Sequence, residues 1–374
     1  MSEFRFPQEE LVTERLRLRA VGVDDAEDVA AACGAASTRE FLPFLPNPYT
    51  VADALDWITN QAMRAYDEGG AQWALTDRET GRFLGVIGLP IVHKGRGAAE
   101  IGYWTAPWER GRGHMSEALI AVTEWLFKQP FHRATLAIDP ANIASQRVAL
   151  AAGYRREGVQ RGEIVLADGS FGDSIVFSRL STDPAGRTPR ALPDLPGGHL
   201  TDGVVLVRPI DERDIEATWA AWNTPDIMRA TVSTRVPTRD EAAKYTRAAY
   251  AEWLAGTAAR MAICDAGSGE HVGSIGVYFK SGPGTAMLGI HLDSAARGKG
   301  YATRATKLVT EWAFTEAKAE RVEAGTATWN AGSQAIMERL GWTREGVMRA
   351  LIPAADGGRD DVVMWAVVRE AAGG

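Results

Sequence analysis

Two runs in this chain have the residue types and spacing to hold an anion: Arg110-Gly111-Arg112-Gly113-His114-Met115 and Arg297-Gly298-Lys299-Gly300-Tyr301-Ala302. Glycines at alternating positions let the backbone turn sharply. A helix opening directly behind them presents its free N–H groups and the positive end of its dipole. Such a turn cradles phosphate groups through the backbone itself. A single Arg-Gly-x-Gly also occurs in ordinary strand-to-helix turns and basic loops. Here the whole context is repeated. An apolar strand precedes each run (Glu100 to Thr105; Met287 to Leu292), and a helix follows with an apolar stripe. The stripes are Met115, Leu119, Val122, Trp125 and Leu126, and Ala302, Ala305, Val309, Trp312 and Ala313. Spacing of that kind marks core.

The elements around the turns repeat in the same order. Leu11 to Ala20 alternates apolar residues with Arg15, Arg17 and Arg19 and reads as a strand with one wet face. Asp24-Asp25 then caps a helix to about Ala35. Val204 to Ile210, with Asp211 and Asp214 ahead of a helix, opens the second half alike, Arg208 lying 189 positions after Arg19. Thr50 caps a helix to about Glu68, and Thr238 begins its counterpart. Strands at Gln72–Asp77 and Arg82–Val92 are matched by Arg260–Cys264 and Val272–Tyr278, and strands at Ala134–Ile138 and Val322–Ala327 follow the stripe helices. The offset is 187 at Arg110 and Arg297. It is 188 at Asn142 and Asn330, Ser145 and Ser333, Gly153 and Gly341, and Arg156 and Arg344. Each copy should close with strands around an Asp-Gly turn, Asp168-Gly169 and Asp356-Gly357. These residues predict two domains, 1–180 and 204–374, joined by a Pro/Gly-rich linker at 181–203.

Composition agrees with that division, because 374 residues exceed what one core usually supports. At 45% hydrophobic and 24% charged, the chain has the balance of a globular protein. The net charge of −7 is spread out: residues 1–180 hold 19 basic and 24 acidic side chains, the remainder 22 and 24. Neither half has the basic excess of a nucleic-acid binder, so no nucleic-acid partner is expected. Cys33 and Cys264, one per half in apolar segments, can form neither a disulfide framework nor a four-ligand zinc site, and buried thiols with no metal are expected. No stretch approaches the roughly 18 apolar residues of a membrane span, so a cytoplasmic protein with no membrane partner is expected.

The strand before each turn carries its own glycine, Gly102 and Gly289. A glycine there marks either a bulge that splays the strand and opens a slot, or close packing of a neighbouring side chain; recurrence in both halves favours the bulge. With strand, glycine, Arg-Gly-x-Gly turn, helix, strand and Asn-x-x-Ser in order, each half resembles the GNAT N-acetyltransferases, and within them the Rim type that modifies ribosomal-protein N-termini. The resemblance implies an α/β (α+β) fold, two tandem GNAT-like domains, each a mixed and mostly antiparallel sheet flanked by helices. It implies that the two turns hold the coenzyme A pyrophosphate, with Arg110, Gly113 and Met115, and Arg297, Gly300 and Ala302, at the family's motif positions. Met115 departs from the small residue usual there. The pantetheine arm would lie along Tyr103, Trp104 and Thr105, and along Ile290, His291 and Leu292. Asn142 and Asn330 stand at the family's asparagine, a position that also serves for plain helix capping. The family's frequent tyrosine seven residues later is Ala149 and Met337 here, leaving Ser145 and Ser333 as the local proton donors.

Acyl transfer from a thioester to an amine needs a neutral amine, donors for the developing oxyanion and a proton for the departing thiolate. Glu100 either accepts the amine proton through water or is a solvated strand-end carboxylate. In the second half Met287 takes its place, and the nearest polar candidate is His291, catalytic or structural. The expected function is acetyl-CoA-dependent N-acetylation of a primary amine on a peptide N-terminus, an amino-acid derivative or a small molecule, including an antibiotic in self-protection. The alternative is a non-catalytic coenzyme A sensor or partner-binding protein. Acceptor choice falls to the least repeated regions, Phe41–Ala71 and Asn223–Trp253, and a monomer is preferred over a dimer.

Overall fold

The computed structural model describes residues 4–166, 169–230, 235, 237–279, 284–354 and 357–369. The expected Asp-Gly turns lie partly outside these residues, at Asp168 and Asp356, as does part of the second acceptor region, 231–234 and 236. The chain folds as two compact units, Met1–Pro189 and Arg190–Gly374.

In the first unit the elements are β1 (Leu11–Val12), β2 (Leu16–Arg19), α1 (Ala26–Gly34), α2 (Ala36–Arg39), α3 (Val51–Trp57), β3 (Gln72–Asp77), β4 (Phe83–His93), β5 (Ala98–Thr105), α4 (His114–Phe127), β6 (Arg133–Ile138), α5 (Ile143–Ala151), β7 (Arg155–Val165) and β8 (Phe171–Leu180). They form an eight-stranded sheet in the order β1-β2-β3-β4-β5-β6-β8-β7, antiparallel throughout except for β5 against β6. The stripe of α4 is buried as its spacing demands, and Trp125 meets Trp73 of the sheet edge-on at 4.8 Å. On the other face Ala74 and Val86 pack with Val29 and Cys33 of α1 and Ala54 of α3, and Trp104 leans on the same cluster. The sheet is therefore apolar on both faces, and its side chains alternate between two helical layers.

The second unit repeats this with β9 (Leu200–Thr201), β10 (Val205–Pro209), α6 (Ile215–Trp222), α7 (Pro225–Ala230), α8 (Arg239–Leu254), β11 (Ala258–Asp265), β12 (His271–Tyr278), β13 (Thr285–Leu292), α9 (Tyr301–Thr315), β14 (Arg321–Ala327), α10 (Ala331–Arg339), β15 (Thr343–Pro353) and β16 (Arg359–Val368). Its sheet order is β15-β16-β14-β13-β12-β11-β10-β9, with β13 and β14 the parallel pair. The architecture is two tandem copies of one mixed α/β domain. Part of the segment expected to link them is packed. Leu192 and Leu195 are buried in the second core, Pro193 accepts the indole N–H of Trp253, and Leu200–Thr201 pairs with β10. At its other end Thr188 bonds back to Leu150 and Tyr154 of the first unit.

Several local expectations need correction. Leu11 to Ala20 is two strands, not one: the chain reverses over residues 13–15 and pairs Leu11 with Leu18. That reversal is pinned to α4, because Glu117 accepts from the backbone N–H and guanidinium of Arg15. At the corresponding joint of the second unit the charges are exchanged, with Arg304 of α9 donating to Asp202 at 2.7 Å. The helix after Thr50 opens with the expected cap, Thr50 and Asp53 bonding reciprocally, yet it passes into a π segment at Ile58–Ala62 and ends well before Glu68. Thr238 and Glu241 form the same capping box on α8, which runs its full length.

The expected bulges at Gly102 and Gly289 are absent. The extra residue lies on the neighbouring strand, in the step from Gly88 to Ile91 on β4, where Leu89-Pro90 breaks the pairing; β12 and β13 pair without a shift. Proline supplies the reason in the first copy, since it has no N–H to give the ladder. At the strand glycines a Cβ would make only ordinary van der Waals contact, 3.4 Å from the Pro90 ring at Gly102 and 3.7 Å from the Tyr278 ring at Gly289.

Candidate coenzyme and acyl-transfer site

Each expected slot exists, made by divergence of the parallel strands. β5 pairs with β6 only from Ala98 to Glu100, against Arg133 to Thr135. Beyond that β5 stays with β4 as far as Thr105, while β6 stays with β8 as far as Ile138. The two strands part and leave a wedge between them. In the second unit Thr285 to Met287 pairs with Arg321 to Glu323, after which β13 follows β12 and β14 follows β16.

The glycine turn stands where β5 has moved furthest from β6. Gly111 and Gly113 have φ of 77° and 79°, Gly298 and Gly300 have 79° and 83°, and Gly113 and Gly300 are the residues from which α4 and α9 start. These are left-handed conformations that a side chain would strain. A Cβ on Gly111, Gly298 or Gly300 would meet nothing within 4 Å, so the turn's surface is open, and above Gly113 the nearest atom is Arg15 Nη2 at 3.6 Å. Met115 and Ala302 point into the cores, so the departure at Met115 lies away from the turn's open side.

The side chains of the first turn are largely occupied in holding it. Arg110 donates to the Thr105 carbonyl and to the hydroxyls of Ser37 and Thr38, tying the turn to α2. Arg15 donates to the Arg112 carbonyl. Glu109, only 1% exposed, sits between Arg82 at 2.9 Å and Arg112 at 3.3 Å. No sequence signal separates Glu109 from an ordinary charged loop residue, and the second copy has buried Ala296 in its place. His114, first residue of α4, is buried with its Nδ1 unpaired among the described residues, and burial pushes its pKa down. In the second turn Arg297 donates to the Leu292 carbonyl, and Tyr301 donates to Asp265. Lys299 is exposed.

Across the wedge of the first unit lies the start of α5, and α10 starts at the corresponding residues of the second. Asn142 and Asn330 are N-caps, accepting from the backbone N–H of Ser145 and Ser333 at 3.0 and 3.1 Å. The structure thus gives both asparagines the capping role. In the first unit alone, Tyr103 reaches from β5 to α5, its Oη 2.9 Å from Ser145 Oγ. The second unit has Ile290 at that register position.

Glu100 occupies the last paired position of β5 before the strands part. It is half-buried, and burial, reinforced by Glu163, holds its carboxyl above the usual range. Met287 at the equivalent position is 38% exposed. His291 lies opposite Ser274 on β12, at the place of Trp104 opposite Val86. Burial pushes its pKa down to about 4, which leaves the ring neutral, and its Nε2 has no hydrogen-bond partner among the described residues. Cys33 and Cys264 are free and buried, and burial pushes Cys33 up to about 12. Among the described residues no group of His, Cys, Asp and Glu side chains could hold a metal ion, and no helix is long and apolar enough to cross a membrane.

Comparison with known proteins places these features in a family. Over 169 residues the chain is 28% identical to an uncharacterized N-acetyltransferase of Bacillus subtilis, YoaA, a match covering 45% of this chain and 94% of that protein. It is 45% identical over 65 residues to the probable N-acetyltransferase YjcK of Bacillus subtilis, covering 17% of this chain and only 36% of that one. Among solved structures, a ribosomal-protein-S5-alanine acetyltransferase from Vibrio fischeri aligns with a TM-score of 0.42 at 20% identity, over 47% of this chain and 98% of its own. RimJ of Mycobacterium smegmatis, in complex with CoA-disulfide, aligns with a TM-score of 0.40 at 24% identity, over 46% and 87%. The model of the acetyltransferase (GNAT) domain matches twice, at residues 15–155 and 205–343, each time spanning the wedge and its glycine turn. With more than half of its residues inside those two matches, the chain belongs to the GNAT acetyltransferases, as an acyltransferase carrying two copies of the domain.

Proposed function

We propose that the protein transfers the acetyl group of acetyl-coenzyme A to a primary amine, and that the first unit performs the chemistry. The observation that carries this reading is the wedge between β5 and β6, with the open Gly111/Gly113 turn at its wide end, Glu100 at its apex and Ser145 on its far wall. The turn suits the pyrophosphate of the substrate because it leads into a fourteen-residue helix whose N-cap, Gly113, makes no side-chain hydrogen bond to the first-turn N–H groups. The backbone of β5 beyond Glu100, released from β6, would line the pantetheine arm, as Ile290 to Leu292 would in the second unit.

In this reading Glu100, ionised, takes a proton from the incoming ammonium through water, and the neutral amine attacks the thioester carbonyl. Backbone N–H groups of the unpaired part of β5 stabilise the oxyanion. The carbon–sulfur bond then breaks, the sulfur takes a proton from Ser145, the new amide nitrogen loses its remaining extra proton to solvent, and Ser145 is reprotonated from solvent. The products are the acetamide and coenzyme A. The acceptor is an amine of a small molecule, an amino-acid derivative or a peptide N-terminus, admitted past the segments that differ between the copies.

A second reading applies to the second unit: a copy that holds coenzyme A without this chemistry. It rests on Met287 replacing Glu100 and Ile290 replacing Tyr103, while the turn keeps both left-handed glycines. Screening amines and peptides for coenzyme A release tests both. Steady release with at least one amine is expected, slowed by Ser145→Ala and unchanged by Ser333→Ala. Binding without turnover across the panel would leave the protein a sensor, and the reverse mutational pattern would move the chemistry to the second unit.

A further inference from the structure

Tyr103 and Ser145 are 42 residues apart in sequence, on opposite walls of the wedge, and their hydroxyl oxygens are 2.9 Å apart. The contact is made only in the first unit. Ile290 takes the tyrosine's register position in the second, and no side-chain partner of Ser333 Oγ is found among the described residues. Ser145 is also fixed through its backbone, its N–H bonding to the Asn142 cap, so the remaining freedom of the residue is the rotation of its side chain. A serine hydroxyl has one proton and two lone pairs. If its proton points at Tyr103 it has none to offer the wedge, whereas if Tyr103 donates, the serine proton is free.

We propose that Tyr103 is a positioning residue that acts through Ser145: it donates its hydrogen bond to Ser145 Oγ and so turns the serine O–H into the wedge, toward the sulfur of bound coenzyme A. The phenol proton faces two acceptors on Ser145, Oγ at 2.9 Å and the backbone carbonyl at 3.3 Å, and the shorter contact is to Oγ; burial pushes the phenol pKa up and keeps that proton on Tyr103. The hydrogen bond also makes the Ser145 O–H a stronger donor to a developing thiolate, since a hydroxyl whose oxygen accepts a hydrogen bond polarises more strongly. The second unit has the same serine without this partner, which gives the two turns the same ligand and different power over its sulfur.

The inference rests on the reading that the first turn binds coenzyme A, and its test separates the two. The probe is coenzyme A itself, with the thiol titrated by its thiolate ultraviolet absorbance in complex with the full chain, free protein being subtracted. Gly300→Asp is used to leave only the first site loaded, and Gly113→Asp to leave only the second. The first-site thiol is expected to titrate below that of free coenzyme A. Tyr103→Phe, which removes one oxygen and keeps the ring, should raise it by about one pH unit, the order of one hydrogen bond. Ser145→Ala should raise it equally, and the double variant by no more than either. The second-site thiol should titrate as in free coenzyme A. A first-site thiol indifferent to Tyr103→Phe, additive shifts in the double variant, or an equal depression at the second site would overturn the proposal while leaving the binding reading intact. Absence of coenzyme A binding would overturn both.

Discussion

Glu100 is the residue on which the two copies differ most in chemical capacity, and its environment fixes how that capacity depends on pH. A base works only when ionised, so turnover should rise as pH climbs through a pKa that burial, with Glu163, holds above the ordinary carboxylate range. Glu100→Gln should remove that rising limb and lower kcat by about 10²–10⁴-fold, with coenzyme A affinity nearly unchanged, as steady-state pH profiles would show. The same shift has a stability counterpart. The folded pKa lies above the unfolded value of about 4.3, so the contribution is fully present below that value and is lost as pH rises through the folded pKa. Glu100→Gln should therefore raise the melting temperature at about pH 8 and leave it unchanged at acid pH; a fall at high pH would show that the carboxylate is paired in solution. The position of the serines was legible from the repeat, and that of Glu100 from its place at the start of the strand before the turn, because each is bound to a local pattern. The Tyr103–Ser145 contact and the burial of Glu109 between Arg82 and Arg112 were not, because they depend on tertiary closure between segments with no shared local signal.

At the scale of elements, the glycine turns make the sharpest claim. Because Gly113 and Gly300 are left-handed, the first beside the Arg15 guanidinium and the second facing open space, Gly113→Asp and Gly300→Asp each combine backbone strain with a carboxylate aimed at the phosphates. Each should remove one of two coenzyme A sites, read by calorimetry as a stoichiometry falling from about two to one. A wild-type value of one, abolished by only one substitution, would show the other turn to be scaffold. Helices, caps and most strands could be read from periodicity, Thr50 and Thr238 most plainly, since a capping box is a four-residue signal. The reversal at 13–15 could not, because Thr-Glu-Arg contains no turn former and is held by Glu117, more than a hundred residues away. The irregularity expected at Gly102 had a better signal one strand earlier: a proline in a central strand, Pro90, announces broken pairing more directly than a glycine. Splaying of β5 from β6 followed anyway, because each strand is kept by a different neighbour.

At the scale of the whole molecule, each unit has its own sheet, its own helical layers and a size within the range of self-sufficient domains. Residues 1–189 and 190–374, produced separately, should each melt cooperatively and bind one coenzyme A, with amine acetylation confined to the first; calorimetry and a thiol-release assay would check this. Cutting at 180 or 204 instead should cost stability, since Thr188 is bonded into the first unit, and Leu192 and Leu195 are buried in the second. Two copies of one fold on one string also carry a hazard during synthesis, because the opening hairpin of either copy has the shape to dock on the helix of the other. The exchanged charges at that joint oppose such a mistake. A crossed docking would set Arg15 against Arg304 and Asp202 against Glu117, like charge facing like, while the correct pairings set opposite charges together. The polarity of one ion pair thus works as an address label, directing each hairpin to the helix of its own copy.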